Sequence, residues 1–283
     1  KWLSTATKTK ALEKLNKMVI HCGKPEAWNT EWEAKDPQKT TAYDMVCDLF
    51  AQNVSITRSL MNQTSETAMF YSDWVLQNAY EANAFYSLQN NAIILLASNL
   101  TAPIYDKDKE SFYNYAVMGA TTLGHEMTHG FDNEGSNFDA NGNMNEWWTP
   151  NDRREFEKLQ NRMIQHFNKI KYAPGVYTKG KQTLGENIAD LGGLEIAYES
   201  YMKTVKATEA ERDRLGREFY RAFAQGWKQN ATPDKISIYD EEEHAHPKVR
   251  VNGNVNLTDE WYRLFDIKSG KMYKAPSERI TIW

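Results

Sequence analysis

The sequence predicts an α+β fold, mainly helical, with one small sheet beside a helix at about residues 112–130. Three observations carry this expectation. Several long segments repeat apolar residues at helical spacing behind capping residues. Two short runs, 84–87 and 92–96, are separated by Gln89-Asn90-Asn91 at turn density and read as two strands or a hairpin. The 283 residues, 41% hydrophobic and 25% charged, suit one large globular domain or two small ones.

The elements follow in order. Residues 7–15 predict an amphipathic helix in which Leu12 and Leu15 form the apolar side, lysines fill the other face, and Thr5 or Thr7 caps the start. Cys22-Gly23-Lys24-Pro25 is expected to end it. A second helix is predicted from about Ala42 to Gln63, with Met45, Leu49 and Val54 apolar. After the hairpin the chain turns helical from Phe112 to Gly130, although Gly119 and Gly124 weaken that segment. Gly135 to Gly142 carries turn residues, and Trp147-Trp148 is expected to pack. Thr149-Pro150 with Asp152 and Glu155 starts a long helix to about Ile170. Pro174-Gly175 and Gly180 interrupt the chain. Helices follow at about 184–206 and 208–229, joined by an acidic link. The tail from Pro233 reads as loop and short helix.

Composition excludes some functions. A net charge of −4 without a long basic stretch argues against nucleic acid. The most apolar run, Ala92–Ala97, is too short to span a bilayer. Two cysteines, Cys22 and Cys47, make no disulfide framework and have no zinc-ligand spacing. Five glycosylation sequons begin at Asn53, Asn62, Asn99, Asn230 and Asn256, at a frequency chance also provides in an Asn-rich chain. His21 and His166 read as plain surface histidines.

His125-Glu126-Met127-Thr128-His129 carries the strongest chemical signal. On a helix, residues i and i+4 share one face, so both imidazoles can reach a single ion. Zinc accepts neutral imidazole nitrogen well, and Glu126 between them could take a proton from a water at that ion. A pattern with three fixed positions also arises by chance. A catalytic zinc needs a third protein ligand and an open position. Gly185-Glu186-Asn187-Ile188-Ala189-Asp190-Leu191-Gly192-Gly193 offers Glu186, with Asp190 one helical turn on to accept a hydrogen bond from a ligating imidazole. A solvated Glu and Asp on an amphipathic helix is the bland alternative. Gly185, Gly192 and Gly193 permit the close helix packing that favours the ligand reading.

These two motifs together resemble the paired signature of the neprilysin and endothelin-converting enzyme family of gluzincin zinc metallopeptidases. Asn83-Ala84-Phe85-Tyr86 is similar to the family's edge-strand substrate motif. Glu243-His244-Ala245 leading to Arg250-Val251-Asn252 is similar to its downstream His/Arg segment. The resemblance covers essentially the whole sequence but only the later part of a full-length member. It implies a thermolysin-like zincin domain with a small mixed β-sheet beside the His125–His129 helix. Residues 76–283 are then the catalytic domain, and 1–75 a helical segment partly belonging to a lid subdomain.

Carried over by residue, the resemblance makes His125, His129 and Glu186 ligands of one Zn2+, Glu126 the general base and Asp190 the residue that orients His125. His244 would serve the oxyanion of the tetrahedral intermediate. His246 is its near rival, set aside because the offset from His244 to Arg250 matches the family. Asn83 and Ala84 would hold the peptide by strand addition, and Arg250 would bind a substrate carbonyl. Trp227 would keep aromatic character in a primed-side pocket otherwise departing from the family at Asn99, Thr121, Thr122 and Gly226. Few cysteines, and none near Trp283, resemble a bacterial, PepO-type member, of the periplasm or cell surface with the cytoplasm left open.

The implied activity is zinc-dependent hydrolysis of oligopeptides, with the absent N-terminal portion of the same protein as partner. The alternative is a zinc-containing fragment that binds peptides and turns over little without its lid. A purely structural zinc site would need a fourth protein ligand, and none stands at suitable spacing.

Overall fold

The computed structural model describes residues 2–23, 36, 39–61, 81–230 and 232–283. The expected breaker Pro25, the sequon at Asn62, the last predicted turn of the second helix and the boundary at 75/76 all lie outside these residues.

Helix α1 (Thr5–Lys17) starts where the Ser4 hydroxyl accepts the Thr7 amide. It ends five residues before the expected Cys22-Gly23 break. Val19–Gly23 then forms strand β1, which pairs in parallel with β3 (Ala92–Leu96). Two β-branched residues and a remote partner outweigh the local breaker. The expected polarity of α1 is also reversed. Leu12 and Leu15 are exposed, whereas Lys14 is 1% exposed. Its ammonium reaches two buried carbonyls, and they compensate it where a surface position would not.

The hairpin is present as β2 (Ala84–Ser87), antiparallel to β3, with Asn91 at φ 47° in its turn. Sheet order β1-β3-β2 makes this a small mixed sheet with β2 at an edge. All five residues of β3 are buried, as a central strand covered on both faces requires. Helix α2 (Ala42–Leu60), capped by Thr41, leaves Tyr43, Val46 and Phe50 exposed.

The segment predicted as one helix from Phe112 is three. Helix α3 (Ser111–Asn114) leads into a π-helix, π1 (Tyr115–Leu123), which runs directly into α4 (Gly124–His129). At their junction the Gly124 amide donates to the Gly119 carbonyl, the wide i→i−5 pattern. Periodicity near 3.6 residues did not disclose the widened turns. Helix α5 (Pro150–Phe167) has Thr149 as cap and Pro150 in its first turn. Strands β4 (Lys171–Ala173) and β5 (Val176–Tyr177) turn at Gly175, φ 78°.

Helix α6 (Leu184–Thr204) is buried on nearly every side and joins two cores. Leu184, Ile188 and Leu191 enter one with Phe156 and Phe167, while Leu194 and Tyr201 enter the other with Phe219. Helix α7 (Glu209–Gly226) is capped by Thr208. The expected acidic link is not a link, because Glu209 and Glu211 occupy the first turn of α7, where they complement the helix dipole. Short helices α8 (Pro233–Ile238), α9 (Pro247–Val255) and α10 (Asp259–Leu264) complete the tail. Trp148 packs as expected, stacked with Trp2 and Phe156. His166 corrects the surface reading. It is buried, and its Nε2 lies 2.8 Å from the Gly253 carbonyl. Burial lowers its pKa to about 4. No helix among the described residues is long and apolar enough to cross a membrane.

Candidate metal centre

Close contact between α4 and α6 builds the site. A Cβ on Gly193 would lie 2.4 Å from the Ala120 carbonyl oxygen and 2.7 Å from the His125 amide nitrogen. Only glycine allows that approach. It presents the 186–190 face of α6 to the His125–His129 face of α4.

The donor atoms converge. His125 Nε2 and His129 Nε2 are 3.0 Å apart. Glu186 Oε2 is 3.3 Å from His125 Nε2, and Oε1 is 3.4 Å from His129 Nε2. Tetrahedral zinc with bonds of about 2.0–2.1 Å spaces its ligands roughly 3.3 Å apart. Among the described residues, this is the one set of His, Cys, Asp or Glu that brings three donor atoms within 4.8 Å of one another.

The outer hydrogen bonds fix the tautomers. His125 Nδ1 lies 2.9 Å from Asp190 Oδ1, and His129 Nδ1 lies 2.7 Å from Asp132 Oδ2. With both Nδ1–H groups donated to carboxylates, each Nε2 turns a lone pair toward the same point as Glu186. Three electron-pair donors facing one another call for a cation. The charge balance agrees: burial lowers the proton affinity of both imidazoles. Hydrogen bonds to Asp190 and Glu186 reverse this for His125, and those to Asp132 and Glu186 raise His129 well above the ordinary value. Burial would likewise raise the Glu186 carboxyl, but hydrogen bonds from His125, His129 and His244 hold it far below. One divalent ion can take the place of the protons this cluster attracts, so the residues fit zinc.

Asp132 was missed in the sequence. It lies in the bend just past the end of α4, three residues after His129, and its signal is its place at the end of the run His125 to Asp132. Its Oδ1 also accepts the Glu134 and Gly135 amides at 2.7 and 2.8 Å.

Of the remaining expected residues, His244 and Arg250 touch this cluster, and Trp227 reaches it through Arg250. Glu126 is 7% exposed and lies on α4 between the two histidines in sequence. His244 Nε2 lies 3.1 Å from Glu186 Oε2, with its side chain 52% exposed. His246 instead caps α9, accepting the Lys248 amide and stacking on Tyr172. Arg250 is buried and donates to Asp190 through Nε at 2.7 Å and Nη2 at 2.6 Å. Its guanidinium lies 4.1 Å above the Trp227 ring. Asn83 is exposed at the start of β2, and its Oδ1 accepts the Ala84 amide. Its carbonyl accepts from the buried Asn99 side chain, while Thr121 bonds back to Val117. A separate cleft of 740 Å³ on α6, lined by Glu195, Glu199 and Asp259, shares no residue with the cluster.

The sequence profile of peptidase family M13 matches residues 83–280, a span containing every residue of this cluster. The chain belongs to peptidase family M13. This M13 chain is 35% identical to a neutral endopeptidase of Lactobacillus helveticus over its whole length, covering 42% of that protein. It is 31% identical to the mouse endothelin-converting enzyme-like 1, covering 37% of it. Among solved structures, PepO from Lactobacillus rhamnosis superposes with a TM-score of 0.80 at 28% identity. The zinc metalloprotease Zmp1 of Mycobacterium tuberculosis, solved with an inhibitor, gives 0.81 at 29%. Both matches cover all of this chain and 43% and 44% of those chains, so it spans less than half the length of these relatives.

Proposed function

We propose that this chain carries the catalytic centre of a zinc metalloendopeptidase that hydrolyses oligopeptides. The carrying observation is the convergence of His125 Nε2, His129 Nε2 and the Glu186 carboxylate, with Glu126 on the same helix as the two imidazoles. When bound there, zinc lowers the pKa of a water and polarises the scissile carbonyl.

The protein does the rest. Glu126 takes a proton from the attacking water and delivers it to the leaving amine. His244 reaches over the cluster from an exposed position and donates to the oxyanion. Asp190 holds the His125 ring, and Arg250 holds Asp190 with two of its nitrogens while directing the third toward a substrate carbonyl. Trp227 supports the guanidinium from below. On the outer edge of β2, Asn83 and Ala84 take the peptide as an added strand.

The test is Glu126→Gln. It should retain stoichiometric zinc and lose ~10²–10⁴-fold in turnover of a fluorogenic peptide, the usual contribution of general acid–base catalysis. Near-normal turnover contradicts the assignment.

A second reading has specific support in the chain's share of its relatives' length and in the exposed Tyr43, Val46 and Phe50 of α2. Here this chain holds zinc and binds peptide but turns over little until the N-terminal portion of the longer protein covers it. Cleavage by this chain alone and by the longer protein separates the two readings.

A further inference from the structure

Lys14 is among the largest fully buried side chains of the described residues, and the chemistry above makes no use of it. Its Nζ donates at 2.7 Å to the carbonyls of Gly135 and Phe138, both in the loop that follows the His125–His129 helix. Both acceptors are main-chain carbonyls rather than carboxylates. The rings of Tyr86 and Phe131 lie 5.9 and 5.6 Å away as further partners for the charge. Burying an ammonium in this way is costly, so a hydrophobic residue would serve packing better.

What the ammonium holds is the backbone of Gly135. The carbonyl of Gly135 accepts from Lys14, and its amide donates at 2.8 Å to Asp132 Oδ1. The other oxygen of Asp132 lies 2.7 Å from His129 Nδ1. A charged group, the backbone of Gly135, a carboxylate and an imidazole therefore form one continuous series ending on the ring of a candidate metal ligand. No side chain fits at Gly135, because a Cβ there would lie 1.9 Å from the His129 carbonyl oxygen.

The other end of Lys14 is anchored equally. Its own carbonyl accepts from the Asn91 side chain at 2.9 Å, and Asn91 also accepts the Tyr86 hydroxyl. Helix α1 itself is tied to α5 through Ser4 and Thr7, which both bond Asp152.

We infer that Lys14 is a positioning residue for the metal centre, fixing Asp132 and through it the orientation of His129. The inference rests on the zinc reading of the site. Removing the ammonium frees the 132–138 loop to shift, and the His129 ring loses the partner that sets its tautomer.

The experiment measures zinc dissociation constants by chelator competition, and cobalt absorption spectra, for the wild-type chain and five variants. Lys14→Met and Lys14→Gln should weaken zinc binding by roughly 10-fold or more, the usual cost of losing an outer hydrogen-bond partner. Each should also shift the cobalt ligand-field bands. Asp132→Asn should do the same, and Lys14→Met/Asp132→Asn should be no worse than Asp132→Asn alone. Thr7→Val, which loosens α1 without touching the series, should lose stability and keep zinc affinity. Wild-type zinc affinity and spectra in both Lys14 variants overturn the inference, as do additive losses in the double variant. Failure of both Lys14 variants to fold while Thr7→Val folds overturns it too, making Lys14 a scaffold residue. Failure of the wild-type chain to bind zinc instead sinks the underlying zinc reading.

Discussion

At the residue scale, the candidate ligands are legible because metal chemistry fixes both residue type and spacing. Two imidazoles at i and i+4 can share an ion on a helix and nowhere else so simply. Glu186 was legible only in combination, since an isolated Glu says little. Lys14 was read wrongly, because a lysine among lysines on an amphipathic helix looks solvated until its carbonyl partners, more than a hundred residues away, are known. Glu195 was not singled out either. Half-buried in the α6 cleft, its carboxyl is pushed up to about 8 by burial and by Glu199 and Asp259. The folded state thus binds its proton more tightly than the unfolded chain does. Between pH 4.5 and 8 the native state holds more protons than the unfolded one, and stability falls as pH rises through that window. Glu195→Gln should remove the decline. Thermal melts at pH 5 and pH 9 should show a variant gain of roughly 2–4 °C at the higher pH only. An equal shift at both pH values contradicts the charge argument.

At the element scale, long capped helices were readable from the sequence and short or unusual ones were not. Thr149-Pro150 and the hairpin turn at Asn91 declare themselves locally. Strand β1 does not, because its partner β3 lies some seventy residues on and local Gly-Lys-Pro chemistry masks it. The widened π1 turns are equally invisible, since they come from packing rather than propensity. Gly119 and Gly124 looked like helix-weakening residues, and the structure gives glycine at this crossing a different meaning. Gly193→Ala would drive a methyl group into the Ala120 carbonyl and the His125 amide. The cost should be about 1–3 kcal/mol of unfolding free energy, with weakened zinc binding as α6 is displaced. Gly119→Ala is the control, because its new Cβ would meet Ala197 Cβ at an ordinary 3.5 Å. Denaturant melts that rank both variants alike contradict this packing account.

At the scale of the whole molecule, the fold serves one purpose at its centre. Helix α6 is shared by both hydrophobic cores, so the carboxylates at 186 and 190 sit on an element packed into each of them. The small sheet stands beside α4, with its edge strand β2 packed against that helix. The mainly helical class with its small mixed sheet was readable from patterns and family resemblance. The mutual placement of α1, the sheet and the 132–138 loop was not, because it rests on contacts such as Ser4–Asp152 and Lys14–Gly135 that no local pattern encodes.

The most direct measurement is zinc K-edge X-ray absorption on the metal-loaded chain. One zinc per chain is expected, with two imidazole nitrogens, one carboxylate and one solvent oxygen. A shell of four protein ligands, a sulfur ligand, or an unchanged shell after Glu186→Ala would contradict the central claim.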